Sequence, residues 1–161
     1  MSKSLKRVRA ALETSGVEFR ILEMPGETRT AADAAREAGC EIDQIAKSII
    51  FRGVASDQAI LFVTAGGNQV ETALATAVAG EGLARADAAF VRLKTGFAIG
   101  GVAPVGHLST PRVFMDPHLL NFSEIFAAAG TPRHIFTVAP AALKQTSDAQ
   151  LFDFTTQSQK M

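Results

Sequence analysis

The chain of 161 residues contains no tryptophan, no tyrosine and one cysteine. A single cysteine excludes an intramolecular disulfide framework and suits a reducing compartment, so the expected location is the cytoplasm. Without tryptophan or tyrosine, stacking on a nucleic-acid base would fall to phenylalanine or histidine. Neither sign of charge is in excess: Lys plus Arg number 16 and Asp plus Glu number 16. No global field therefore draws the chain toward nucleic acid or an anionic membrane, and any polyanion contact must be local. No apolar run has the length of a signal sequence or a bilayer span, so no membrane partner is expected.

The familiar chemical templates are missing as well. There is no Gly-x-x-x-x-Gly-Lys-Ser/Thr loop and no Gly-x-Ser-x-Gly elbow, which disfavours a P-loop nucleotidase and a serine hydrolase of the α/β type. His107, His118 and His134 are too widely spaced for a zinc motif, so neither a metal nor another cofactor is expected. Cys40 follows the helix-ending Gly39 and precedes Glu41, whose charge opposes a thiolate; it reads as a small, partly buried thiol. If the chain is an enzyme, its nucleophile is water.

Helical and strand patterns alternate along the whole length without a linker or repeat, which predicts one α+β domain over 1–161 with a mixed sheet. Leu5, Val8 and Leu12 form the apolar stripe of an N-terminal amphipathic helix over 1–16, stopped by Gly16, with Lys3, Lys6 and Arg7 on a solvated face. Thr30 and Asp33 mark the start of a helix that Gly39 ends. "SIIFR" and "AILFVTA" read as a hairpin. "VETALATAVAG" and "DAAFVRLKTG" read as helices, "PRVFMD" as a strand, "PHLLNFSEIFAAAG" as a helix entered at Pro117, and "RHIFTVA" as a strand. A short helix at "PAALKQT" and a strand at "LFDF" close the chain.

Two features stand apart. Lys47 lies at a helix-to-strand junction among Ile45, Ile49, Ile50 and Phe51. Its ammonium either projects from an apolar wall, where a charge acts more strongly than in water, or snorkels to solvent on its stem. The segment "TGFAIGGVAPVGH" (95–107) has four glycines, a proline, a histidine and no charged residue. Gly100 and Gly101 allow a turn with unobstructed N–H groups that can aim at an anionic oxygen; the alternative is a bent strand packed in the core.

Taken in order, "TAADAAREAGCEIDQIAKSIIFRG", "TAGGNQV", "TGFAIGGVAPVGH", "VFMDPHLL" and "AAAGTPRHIFTV" resemble the YbaK/prolyl-tRNA-synthetase-associated domain family over about Val17 to Leu143. The resemblance implies a single domain with a mixed, barrel-like sheet flanked by helices. It implies a free-standing hydrolase that deacylates mischarged aminoacyl-tRNA. The aminoacyl-tRNA acceptor end is then the partner, with prolyl-tRNA synthetase a candidate second one. The family's lysine falls on Lys47 and its Gly-x-x-x-Pro loop on Gly100 to Pro104. On this basis Lys47 and Gly101 are the expected catalytic positions, the N–H groups of Gly101 to Ala103 holding the carbonyl oxygen or aminoacyl group. Thr30, Gly100, Val102, Ala103, Pro104, His107 and His134 are expected substrate-binding positions. Thr30 is equally an N-cap, and His134 equally a hydrogen-bonded core residue. A proline tRNA carrying a small non-cognate amino acid is the expected substrate. A non-catalytic module binding the same RNA end or a synthetase is the alternative.

Overall fold

A computed structural model describes residues 2–28 and 30–156. Its elements follow the order α1 (Lys3–Ser15), β1 (Arg20–Glu23), α2 (Ala31–Ala38), β2 (Ala46–Gly53), β3 (Ala59–Ala65), α3 (Thr72–Ala79), β4 (Leu83–Arg85), α4 (Ala88–Thr95), β5 (Arg112–Met115), β6 (Ile125–Thr131), β7 (His134–Val138), α5 (Pro140–Ser147) and β8 (Gln150–Leu151). Short 3-10 turns occupy Ile42–Gln44 and Pro117–Asn121. Arg29 lies outside the described residues. Among the described residues no helix is long and apolar enough to cross a membrane.

The strands form two sheets rather than one. Three strands run in the order β1-β7-β6 and five in the order β4-β2-β3-β5-β8. A parallel bridge between Ile45 and Phe126 joins them, so the mixed barrel-like wall is assembled where β2 meets β6. β2 and β3 are antiparallel in a continuous register from Ala46–Ala65 to Arg52–Ala59, while β3 and β5 are parallel. β4 pairs with β2 only from Phe51 to Gly53. The same edge of β2 over Lys47 to Ile50 therefore lies outside the β4 ladder.

One expected element is of the wrong kind. "PHLLNFSEIFAAAG" is a 3-10 turn followed by the strand β6, not a helix. Asp116 caps the turn by accepting the His118 amide at 3.0 Å. Beyond it, Ile125, Ala127 and Ala129 pack into the main core, while Phe126 packs with Ile45 and Ile135 on the other face. Burial on both faces erases the alternation that betrays a strand, and three consecutive alanines imitate a helix. The small residues have a packing use. A β-carbon on Gly130 would lie 2.9 Å from the Ser4 carbonyl oxygen, so α1 rests directly on β6.

The basic side of α1 is also not wholly solvated. Arg7 donates from Nε to the Gly106 carbonyl at 3.2 Å and stands over the Phe97 ring at 5.0 Å. It fastens α1 to the glycine-rich segment. At the far end of the chain only Gln150 and Leu151 pair with β5, and Phe154 instead inserts against Phe62 with ring centroids 4.8 Å apart.

Candidate active-site cleft

The unladdered edge of β2 opens onto a cleft of about 670 Å³ lined from β2, α2, β6 and the segment after α4. Lys47 enters it from the second residue of β2. Burial pushes the Lys47 pKa below the usual lysine value of 10.5, against the opposing pull of the Asp43 and Asp116 carboxylates. Across the same space stand Ile99, Gly100 and Val102. The cation and the glycine bend thus line one cavity.

The bend is built by two different glycines. Gly100 has φ of +98°, a conformation that favours glycine. Gly101 donates its amide to the Ala98 carbonyl at 3.0 Å, closing a tight turn. A β-carbon on Gly101 would lie 3.0 Å from backbone atoms of Thr131, so the loop seats on the end of β6. The Gly101 N–H, an expected oxyanion donor, is engaged within the turn in this structure. Val102 is the neighbouring residue that lines the cleft.

Ala103, Pro104 and His107 are not among the lining residues. Ala103 is fully buried in the main core. Its carbonyl accepts a hydrogen bond from His107 Nε2 at 2.6 Å, and the imidazole meets Phe97 edge to face. Burial, first, and then the nearby Arg7 charge lower the His107 pKa, against the Ala103 hydrogen bond, which raises it. His107 thus braces the loop from behind.

Thr30 does line the cleft, and its Oγ1 also accepts the Asp33 amide at 3.0 Å as the N-cap of α2. The two roles are compatible, because a capping hydroxyl keeps its own proton to donate. His134 lies in a neighbouring hollow, with Nδ1 2.7 Å from Thr131 Oγ1. Thr131 lines both spaces, so His134 reaches the cleft through it. Cys40 is half-buried, and desolvation together with Glu41 and Glu124 raises its pKa, so the thiol stays protonated.

Two carboxylates near Lys47 are held by groups remote in the sequence. Asp43 accepts the Gly67 amide through Oδ1 at 2.8 Å and meets His118 Nε2 through Oδ2 at 3.0 Å. Asp116 is buried and accepts from the Ala65 amide at 3.2 Å and from Asn68 Nδ2 at 2.9 Å, besides the His118 amide. "TAGGNQ" is tight for this reason: a side chain at Gly66 would strike the Ile42 carbonyl, and one at Gly67 the Asp43 carboxylate. Ser48 was silent in the sequence. Its hydroxyl is buried beside the cleft with no hydrogen-bond partner among the described residues. Among those residues no three His, Cys, Asp or Glu side chains gather as a metal site requires.

The chain as a whole matches a known family. The aminoacyl-tRNA editing domain matches residues 25–146. The chain belongs to the aminoacyl-tRNA editing domain family. A crystal structure described as "a putative trans-editing enzyme for prolyl tRNA synthetase" shares 41% identity and superposes with a TM-score of 0.90, covering 97% of this chain and 99% of that one. The hypothetical protein APE2540 shares 25% identity with a TM-score of 0.86, over 93% and 99% of the two chains. The uncharacterized protein YwhH of Bacillus subtilis (strain 168) is 31% identical over 149 residues, 92% of this chain and 94% of its own length. Membership in the editing family supports a deacylase role and an interaction with aminoacyl-tRNA.

Proposed function

We propose that this editing domain acts in trans as a hydrolase that removes a small non-cognate amino acid from a mischarged tRNA, with proline tRNA as the first substrate to test. The observation that carries the reading is the sharing of one cleft by Lys47 and the Gly100–Val102 bend. An aminoacyl ester is already activated, so its hydrolysis needs a positioned water and stabilisation of the carbonyl oxygen more than a protein nucleophile.

In this reading the amino acid side chain enters the apolar end formed by Ala31, Ala34, Phe126 and Ile135, which suits a small apolar group. Thr30 donates from its hydroxyl to the aminoacyl end. The Val102 amide takes the oxyanion role, and Gly101 acts by holding the turn. Lys47 places its charge beside the terminal adenosine. The Ser48 hydroxyl finds its partner in the substrate, since a buried polar group without one is costly. His107 and His134 support the Ala103 and Thr131 backbone regions rather than touching the ester. The likeness to the protein described as "a putative trans-editing enzyme for prolyl tRNA synthetase" supports the choice of tRNA.

The test is a multiple-turnover deacylation screen over tRNAs charged with alanine, cysteine, serine and their cognate amino acids. The expected result is catalytic turnover of one small mischarged ester with sparing of the cognate one. Stoichiometric protection of the ester would instead establish a binding module.

A further inference from the structure

The cleft leaves the path of the rest of the RNA unassigned, and its surroundings are unequal in charge. Beyond the Thr28 and Thr131 end lies a hollow carrying Glu23 and Glu27 with Arg133. The other end, by Ala86 and Val91, has a different character. Arg52 lies near the end of β2, two residues beyond Ile50, which lines the cleft. Val91 lines it from α4, and Lys94, three residues on, shares that helix face.

These two cations converge on one ring. The Arg52 guanidinium carbon is 5.7 Å and the Lys94 ammonium nitrogen 5.9 Å from the centroid of the half-buried Phe90. Asp57 engages Arg52 through Nε at 2.7 Å, and Asp87 is occupied as the N-cap of α4, accepting the Phe90 amide at 2.8 Å. The segment 85–94 holds three cations, Arg85, Arg92 and Lys94, against the single carboxylate of Asp87, in a chain of net charge zero. Arg52 shares its charge with Asp57, while Lys94 adds a further positive charge at the same ring, so the patch keeps a net attraction for an anion.

We infer that Arg52 and Lys94, seated on Phe90 at the α4 end of the cleft, form the track that takes the backbone phosphates of the RNA strand whose 3′ end lies in the cleft. The inference rests on the editing reading for its choice of RNA. A guanidinium stacked on a ring keeps N–H groups for phosphate oxygens, and the ammonium supplies a second point charge. The hollow at the other end sets two glutamates against Arg133 and offers no comparable excess of positive charge, so the charge asymmetry favours exit at the α4 end.

The test is binding of an uncharged acceptor-stem minihelix with a single-stranded 3′ CCA end, followed by fluorescence anisotropy over a salt series. Arg52→Gln and Lys94→Gln are each expected to raise Kd on the order of tenfold. Each should also reduce the slope of log K against log salt by about 0.7 to 0.9. Arg52→Lys should restore most of the salt slope, and Lys144→Gln on α5 should change nothing. Equal melting temperatures establish that the variants fold; Lys94→Gln alone suffices if Arg52→Gln is unstable.

With charged tRNA, the same variants should raise KM while kcat stays within about twofold, because phosphate contacts position the strand without touching the ester. Minihelix binding that is insensitive to both substitutions, or undetectable in the wild type, overturns the track. Sensitive binding without any wild-type deacylation leaves the track standing and overturns the editing reading.

Discussion

His107 Nε2 lies 2.6 Å from the Ala103 carbonyl oxygen, inside the core and out of reach of the cleft lining. A carbonyl only accepts, so Nε2 carries the proton and the neutral ring is the form the fold selects. Nδ1, buried with no partner among the described residues, would become a second N–H on protonation. This places the histidine among the supports of the loop.

The pH consequence has a definite sign. Burial holds the folded His107 pKa below its usual 6.5, so between that lowered value and 6.5 the unfolded chain binds the extra proton first. Stability is fully present above about pH 6.5 and declines as the pH falls through the window beneath it. Denaturant melts from pH 7.5 to 5 should show this slope, and His107→Phe should flatten it while slowing turnover through a displaced loop.

Gly101 tests the seat of the turn. A methyl group there meets the Thr131 backbone at about 3.0 Å, too close for ordinary contact. Gly101→Ala should shift the 99–103 segment and lower kcat on the order of a hundredfold, the loss typical of one misplaced oxyanion donor. The melting temperature should fall by only a few degrees, since the loop is seated on β6 at one point. Deacylation kinetics and a thermal melt on the same preparation check both halves.

Asp116 should matter more to the fold than its position beside a proline suggests. It satisfies three donors from a site that is 3% exposed. Asp116→Ala strands those donors and should cost about 2 to 4 kcal/mol, measured by urea unfolding. Asp116→Asn should recover part of that loss.

Lys47 is expected to act as an ammonium ion, yet burial lowers its pKa from 10.5. After subtraction of spontaneous ester hydrolysis, kcat/KM should therefore fall on the alkaline side with an apparent pKa below 10.5. Asp43→Asn removes a charge that opposes this shift and should move the alkaline limb to lower pH. An unmoved limb would show that Asp43 holds the Gly67 turn without tuning the amine.

Much of the fold was legible because local signals agreed with tertiary structure. Ser2, Thr30 and Asp87 cap α1, α2 and α4 through their side chains, and Gly16, Gly39 and Gly96 end those helices with positive φ. The β2–β3 hairpin announced itself through β-branched and aromatic residues around a polar turn. β6 did not, because both of its faces are buried and its alanines carry no alternation.

The site was legible where chemistry had few interpretations, a lysine in an apolar run and a double glycine before a proline. Which loop amide is available depends on the Ala98–Gly101 hydrogen bond, a contact no residue pattern encodes. Asp43 and Ser48 were invisible, and the bonds of Asp116 to Ala65 and Asn68, like that of Asp43 to Gly67, join groups brought together across the chain.

The most direct test compares wild type and a folded Lys47→Ala variant in single-turnover deacylation of the mischarged tRNA chosen by the screen, at saturating protein. The account predicts a rate at least a hundredfold lower with an unchanged melting transition. Deacylation at the wild-type rate by the folded variant would contradict it.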